Sequence, residues 1–161
     1  MSRIHLRDFT VPAAAIDVNG HVNNLEYLGW MQDIALEHSA ARGWPLARYQ
    51  ETRTAWVVRS HSIEYLRPAF AGDALRLATW VAEVRARSSL RRYLVWRERD
   101  REVLARAETL WVLVNLDTGR ARGIPEELRS SFEVVTDPEE PLRLLRQGAA
   151  ATTAPAEMGD G

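Results

Sequence analysis

The stretch IDVNGHVNNLEYLGWMQD, Ile16 to Asp33, decides how the rest of the chain is read. Its first half gathers one acid, one histidine, one glycine and three asparagines into the eight residues from Asp17 to Asn24, and its second half turns at once into an aromatic-rich apolar run. Asn, Asp and Gly shape turns and satisfy the free N–H groups at a helix start, so the pattern predicts a polar turn feeding a helix with Asn23 or Asn24 as the N-cap. Arg42-Gly43-Trp44-Pro45 supplies the stop, a glycine just past the last turn and a proline soon after, which leaves a helix of about nineteen residues.

That helix is apolar nearly all round. Leu25, Leu28, Met31 and Ala35 lie along one side, Tyr27, Trp30 and Ile34 widen the surface, and Glu26, Asp33 and Glu37 mark the polar face. A helix of this kind is wrapped by other structure. The wrapping is legible on both sides of it. Residues 4–11 read as a first strand, and residues 54–66, 73–86, 89–99 and 103–116, rich in Val, Leu, Trp, Thr and Tyr, read as four more. Turn residues separate them: Arg67 to Asp73, Arg87-Ser88-Ser89, and a tight hairpin at Asp100-Arg101, with Asp117-Thr118-Gly119 ending the last. No helical pattern intervenes between the last four strands, so they pair antiparallel, and the expected class is α+β, one sheet of about five strands around one long helix. A short helix is expected from Pro125 to Ser131, and the segment from Gln147 onward is too poor in large apolar residues to pack. The domain is therefore set at residues 1–137, with 138–161 as a largely disordered extension.

A chain of 161 residues is one domain's worth, and 46% hydrophobic with 27% charged residues is an ordinary globular composition. The 21 basic and 22 acidic residues leave a net charge of -1, so no global field draws the chain to nucleic acid or an anionic membrane. Every Lys-or-Arg position is arginine, which excludes Schiff-base and P-loop lysine chemistry. There is no cysteine, which removes disulfides, thiolate nucleophiles and cysteine-bound zinc. The first residues carry no apolar leader and the longest apolar run is Leu110 to Val114, so a cytoplasmic protein is expected.

The one dense group of reactive side chains is Asp17, Asn19, His21, Asn23 and Asn24, set directly before the helix. Free N–H groups and the positive end of the helix dipole can stabilise an oxyanion that develops there, and a carboxylate beside them can attack a carbonyl or activate water. Acyl transfer to water is the natural reaction class. The structural alternative is that these residues only cap the helix and shape a turn.

DVNGHVNN, followed by Tyr27 and Trp30 on the helix, resembles the signature of acyl-ACP thioesterases and of the 4-hydroxybenzoyl-CoA thioesterase-like branch of the hotdog fold. IEYLRPAFAGD, Ile63 to Asp73, looks like the second landmark of that branch, and the order of elements agrees from about residue 3 to residue 135. The resemblance implies hydrolysis of a fatty or related acyl-CoA or acyl-ACP to acid and thiol, without a cofactor or metal. It implies Asp17 as nucleophile or general base, Asn19 and His21 as orienting groups, and the backbone N–H groups of Asn23 and Asn24 as the oxyanion site. It also implies a homodimer or a dimer of dimers with the acyl group held between subunits, and Tyr27, Trp30 and Met31 are the candidates to line its tunnel. Two departures matter. Pro68 stands where the plant-type enzymes carry a further acid, and this chain has length for one hotdog repeat where those enzymes have two.

Arg85, Arg87, Arg91 and Arg92 cluster around the Ser88-Ser89 turn, and Arg87, Arg91 and Arg92 are candidates for the phosphates of coenzyme A or phosphopantetheine, with a solvated hairpin end as the plain alternative. His5, His38 and His61 match no metal spacing. Two other functions stay open at this level: a hydratase or dehydratase on the same fold, against which the position of His21 argues, and a non-catalytic acyl-thioester-binding protein.

Overall fold

The computed structural model describes residues 3–151. One antiparallel sheet runs in the order β1-β3-β4-β5-β2, built from β1 (His5–Thr10), β2 (Thr54–Tyr65), β3 (Ala74–Val84), β4 (Ser88–Arg97) and β5 (Glu102–Asn115). It curls round α1 (Asn24–Ala41), and three shorter helices follow the chain: α2 (Leu46–Glu51), α3 (Glu126–Arg129) and α4 (Glu140–Ala151). This is the expected hotdog architecture. Strand positions agree with the sequence reading to within about two residues at each end.

The period of two sorts the sheet into faces. Leu75 and Leu77 of β3, Tyr93 and Val95 of β4, and Ala105 and Ala107 of β5 point inward and join Tyr27, Met31, Ile34 and Ala35 of α1 in the main core. Ala78, Trp80, Leu94 and Trp96 alternate to the outer face. Each large side chain buried this way contributes about 1.5–3 kcal/mol. α1 ends as its sequence foretells: Gly43 takes φ +90°, the N–H of Trp44 bonds to the carbonyl of Ser39 at 2.9 Å, and that of Gly43 to Ala40 at 3.1 Å. This is the paired closure that a left-handed residue just past a helix makes possible.

The outer face of the sheet is not bare. α4 lays Leu145, fully buried, against Ile4, Trp80 and Trp96, with Leu142 and Leu144 beside it. The chain beyond Asp137, read from sequence as a loose extension, is thus packed as far as this helix; residues 152–161, and with them most of the tail from Gln147 onward, lie outside the described residues. No helix among the described residues is long and apolar enough to cross a membrane.

Candidate active site

The polar cluster folds into a small hairpin. Ile16 bridges Val22, the N–H of Asp17 donates to the carbonyl of His21 at 2.8 Å, and the N–H of Gly20 donates to the carbonyl of Asp17 at 3.1 Å. Gly20 closes the three-residue loop with φ +82°, a conformation that costs other residues strain. Asp17 and His21 therefore face each other across the base of the turn. One carboxylate oxygen of Asp17 accepts the N–H of Asn19 at 2.8 Å, which fixes its rotamer; the other makes no hydrogen bond among the described residues. Asn19 and His21 are exposed, with the His21 ring edge-on to Phe70 at 5.6 Å.

The hairpin leads directly into α1. Asn23 is the N-cap, its side-chain oxygen accepting the N–H of Leu25 at 3.0 Å. The N–H of Asn23 itself is spent on the carbonyl of Ala15 at 2.9 Å, whereas that of Asn24 donates to no group among the described residues. The first turn of α1 thus keeps one outward donor at the positive end of the helix.

The second sequence landmark holds this hairpin in place. The carbonyl of Ala69 accepts the N–H of Val22 at 2.9 Å, and the loop carrying Ala69 is tied to the end of β1 through Val11 and Gly72. The loop is pinned in turn by Asp73, whose carboxylate accepts the N–H of Phe70 at 2.9 Å and the guanidinium of Arg97 at 3.0 Å. Arg97 also donates to the carbonyl of Pro68 at 3.0 Å and to both oxygens of Asp100. Asp73 is therefore a positioning group that ties the second motif to the first.

The three residues expected to line an acyl tunnel do something else in the chain itself. Tyr27 and Met31 are buried in the main core and Trp30 packs against it, edge to face with Tyr27 at 5.1 Å and with Phe9 at 4.7 Å. Burial, reinforced by neighbouring Tyr65, pushes the Tyr27 phenol up to about 12, so it stays neutral and proton transfer falls to other groups. None of the three lines the large cavity of the domain, which lies further along α1 and has a volume of about 470 Å³. Sequence reasoning missed that cavity because residues from three helices and four strands enclose it.

The expected arginine cluster is split. Arg87 is exposed at the β3–β4 turn, Arg92 points to the outer face beside Glu108 at 3.4 Å, and Arg91 points inward and is buried. Neighbours on a strand cannot share a face, so adjacency in sequence separates Arg91 from Arg92. Among the described residues no group of three or more His, Cys, Asp or Glu is arranged to hold a metal ion.

Comparison with known proteins agrees with this geometry. A family model described as the thioesterase-like superfamily matches residues 11–132. The long-chain acyl-CoA thioesterase FadM of Escherichia coli is 30% identical over 121 residues, spanning 73% of this chain and 89% of its own. A chloroplastic palmitoyl-acyl carrier protein thioesterase of Cuphea hookeriana is 26% identical over 133 residues, 79% of this chain but 32% of its own length. The crystal structure of a 1,4-dihydroxy-2-naphthoyl-CoA thioesterase from Synechocystis superposes with a TM-score of 0.73 at 19% identity, covering 80% of this chain and 94% of that one, a likeness of fold. The family match over residues 11–132 and the 30% identity to FadM show that this chain belongs to the thioesterase-like superfamily and is a hotdog-fold thioester hydrolase.

Proposed function

We propose that the chain hydrolyses an acyl-CoA or acyl-ACP thioester at the Asp17 hairpin. One observation carries the reading: the hairpin pairs the backbones of Asp17 and His21 at the start of α1, where the Asn24 N–H has no partner among the described residues. The thioester carbonyl docks on that N–H, and the helix start stabilises the oxyanion, a contribution of about 3 kcal/mol for one such donor. The free oxygen of Asp17 either attacks the carbonyl carbon, expelling the thiolate and leaving a mixed anhydride that water then hydrolyses, or takes the proton of a water that attacks and expels the thiolate. His21 and Asn19 orient the reacting groups from the solvent side. Arg87 and Arg92 reach solvent and remain the candidates to meet phosphate.

The same reading includes a homodimer. β2 is a twelve-residue edge strand with Val57, Val58 and Tyr65 exposed, Leu66 is exposed just past its end, and α1 leaves Leu25 and Leu36 uncovered. Long apolar edges are a liability unless another chain pairs with them.

Thiol release from a panel of acyl-CoAs, followed with a thiol-reactive dye, tests the activity, and a protein without cysteine adds no background. Asp17→Asn is expected to lose about a hundredfold to ten-thousandfold in kcat with its melting temperature kept. Turnover unchanged in that variant removes Asp17 from the mechanism.

A further inference from the structure

Three arginines are buried in the described structure, and two of them are paired in the usual way. Arg76, 4% exposed, meets Asp8 at 2.6 Å and Glu98 at 3.4 Å, and Arg97, 5% exposed, meets Asp73 at 3.0 Å and Asp100 at 2.7 Å. Arg91, 6% exposed, has no carboxylate partner among the described residues. One terminal nitrogen donates to Nδ1 of His38 at 2.8 Å and to the hydroxyl of Thr79 at 3.1 Å. Both acceptors are neutral: burial and the nearby Arg91 hold His38 down to about 3, so at neutral pH its ring offers a lone pair and no charge. A guanidinium has five N–H donors. Three of those on Arg91 are left without an acceptor among the described residues.

Burial pulls against the Arg91 charge and no ion pair offsets it. Of the three buried arginines, this is the one that lines the cavity. The wall around it is apolar, formed by residues such as Leu36, Val81, Leu128 and Phe132, with a second donor close by: Trp111, whose indole N–H is buried without an acceptor. Arg91 pairs across the sheet with Thr109 and Ser89 pairs with Trp111, which puts guanidinium and indole on one face as diagonal neighbours. Gln32 of α1 lines the same space, eight residues and about 12 Å from the helix start at Asn24. That span is the distance an acyl chain running along α1 from the hairpin has to cover. Its volume of about 470 Å³ is in the range of small-molecule sites.

We propose that this cavity receives the far end of the acyl group and that Arg91, with Trp111, selects acyl thioesters carrying a carboxylate there, so that the product is a dicarboxylic acid. The inference deepens the thioesterase reading and rests on it for the word acyl, but its test does not require turnover. A carboxylate supplies the missing counter-charge and accepts two guanidinium N–H groups side by side, which a methyl end cannot do. A methyl end offers these donors no acceptor.

Calorimetric titration of the protein with monomethyl suberate and with methyl octanoate isolates the distal group, because both probes carry a neutral ester at the other end. The half-ester is expected to bind at least about tenfold more tightly, and Arg91→Met is expected to erase that ratio. A ratio near one in the wild type, or a preference that survives in Arg91→Met, overturns the proposal. Should Arg91→Met not fold, the wild-type ratio decides alone, and Arg91→Lys is expected to retain part of the preference. In turnover, the suberyl-CoA half-thioester is expected to exceed octanoyl-CoA in kcat/KM by a similar factor. A role for Arg91 in support of the fold alone lowers kcat/KM for both substrates together and leaves their ratio intact. If neither thioester is cleaved while the half-ester still binds selectively, the thioesterase mechanism fails and the carboxylate site stands.

Discussion

The two ends of α1 handle polar groups in opposite ways. At the N-terminal end Asp17, Asn19 and His21 sit at the surface and are fixed by short local bonds to backbone, Asp17 to Asn19 and the Asp17 N–H to His21. At the C-terminal end His38 and Arg91 are buried among apolar groups and make a single hydrogen bond to each other. The open end is held ready because its partners are backbone atoms that hardly move. The buried end carries unsatisfied donors, so a ligand that accepts them gains what water would otherwise have supplied. Reaction needs the first kind of site, and discrimination among ligands gains from the second.

The largest expected effect comes from breaking the support beneath the open end. Arg97→Met leaves buried Asp73 with only the exposed Arg99 at 3.8 Å as a cation and is expected to cost about 3 kcal/mol in urea unfolding. Activity should fall with it, because the loop that holds Val22 loses its anchor. Leu145→Ala lies on the far side of the sheet from both ends of α1. It should lower stability by about 3 kcal/mol and shift tryptophan emission, yet leave kcat/KM unchanged below the melting transition. An altered kcat/KM would show that the outer face reaches the site.

The buried end should register acid. The folded pKa of His38 lies near 3, against 6.5 when unfolded, so the unfolded chain takes up the proton first. The stability that rests on neutral His38 is full above about pH 6.5 and is lost as the pH falls toward 3, a decline of about 2 kcal/mol between pH 7 and pH 5. His61, lowered by burial as well, adds to the same slope. Urea melts of wild type and His38→Gln at the two pH values measure the difference, and an identical slope in the variant would place the acid response elsewhere. The smallest effect belongs to the helix cap: Asn23→Ala should cost about 1 kcal/mol, seen as a small drop in melting temperature. Asn23→Asp should restore it.

Much of the architecture could be read from the chain. A cap at Asn23 or Asn24, Gly43 as the stop and the four long strands were all carried by local residue chemistry, and local chemistry is what a sequence displays. α2 escaped because Pro45 was read only as punctuation after α1, although proline also starts helices. α4 escaped because Leu142 and Leu145 make a short stripe that acquires meaning only against Trp80 and Trp96, more than forty residues away in the chain. The same limit applies to the site. The hairpin at Asp17 is local and legible, whereas the inward turn of Arg91 depends on which face of β4 the fold buries, the face it shares with Tyr93 and Val95. Arg91 and Arg92 look equivalent in sequence, and the sheet makes one a buried donor and the other a surface charge.

The packing of α4 also bears on the order in which the molecule assembles. Arg3, just before β1, pairs with Glu140 at the start of α4 across 137 residues of chain, and Ile4 meets Leu145 close by. The β3–β4–β5 meander needs only short loops to close, so its contacts are entropically cheap and come early. The clasp between the two ends of the described chain encloses nearly everything else, and it gains its full contact surface only when the outer face of the sheet exists to receive it. It is therefore the last contact to close during folding and the first to open in the native state, and amide exchange along α4 should be faster than along β4.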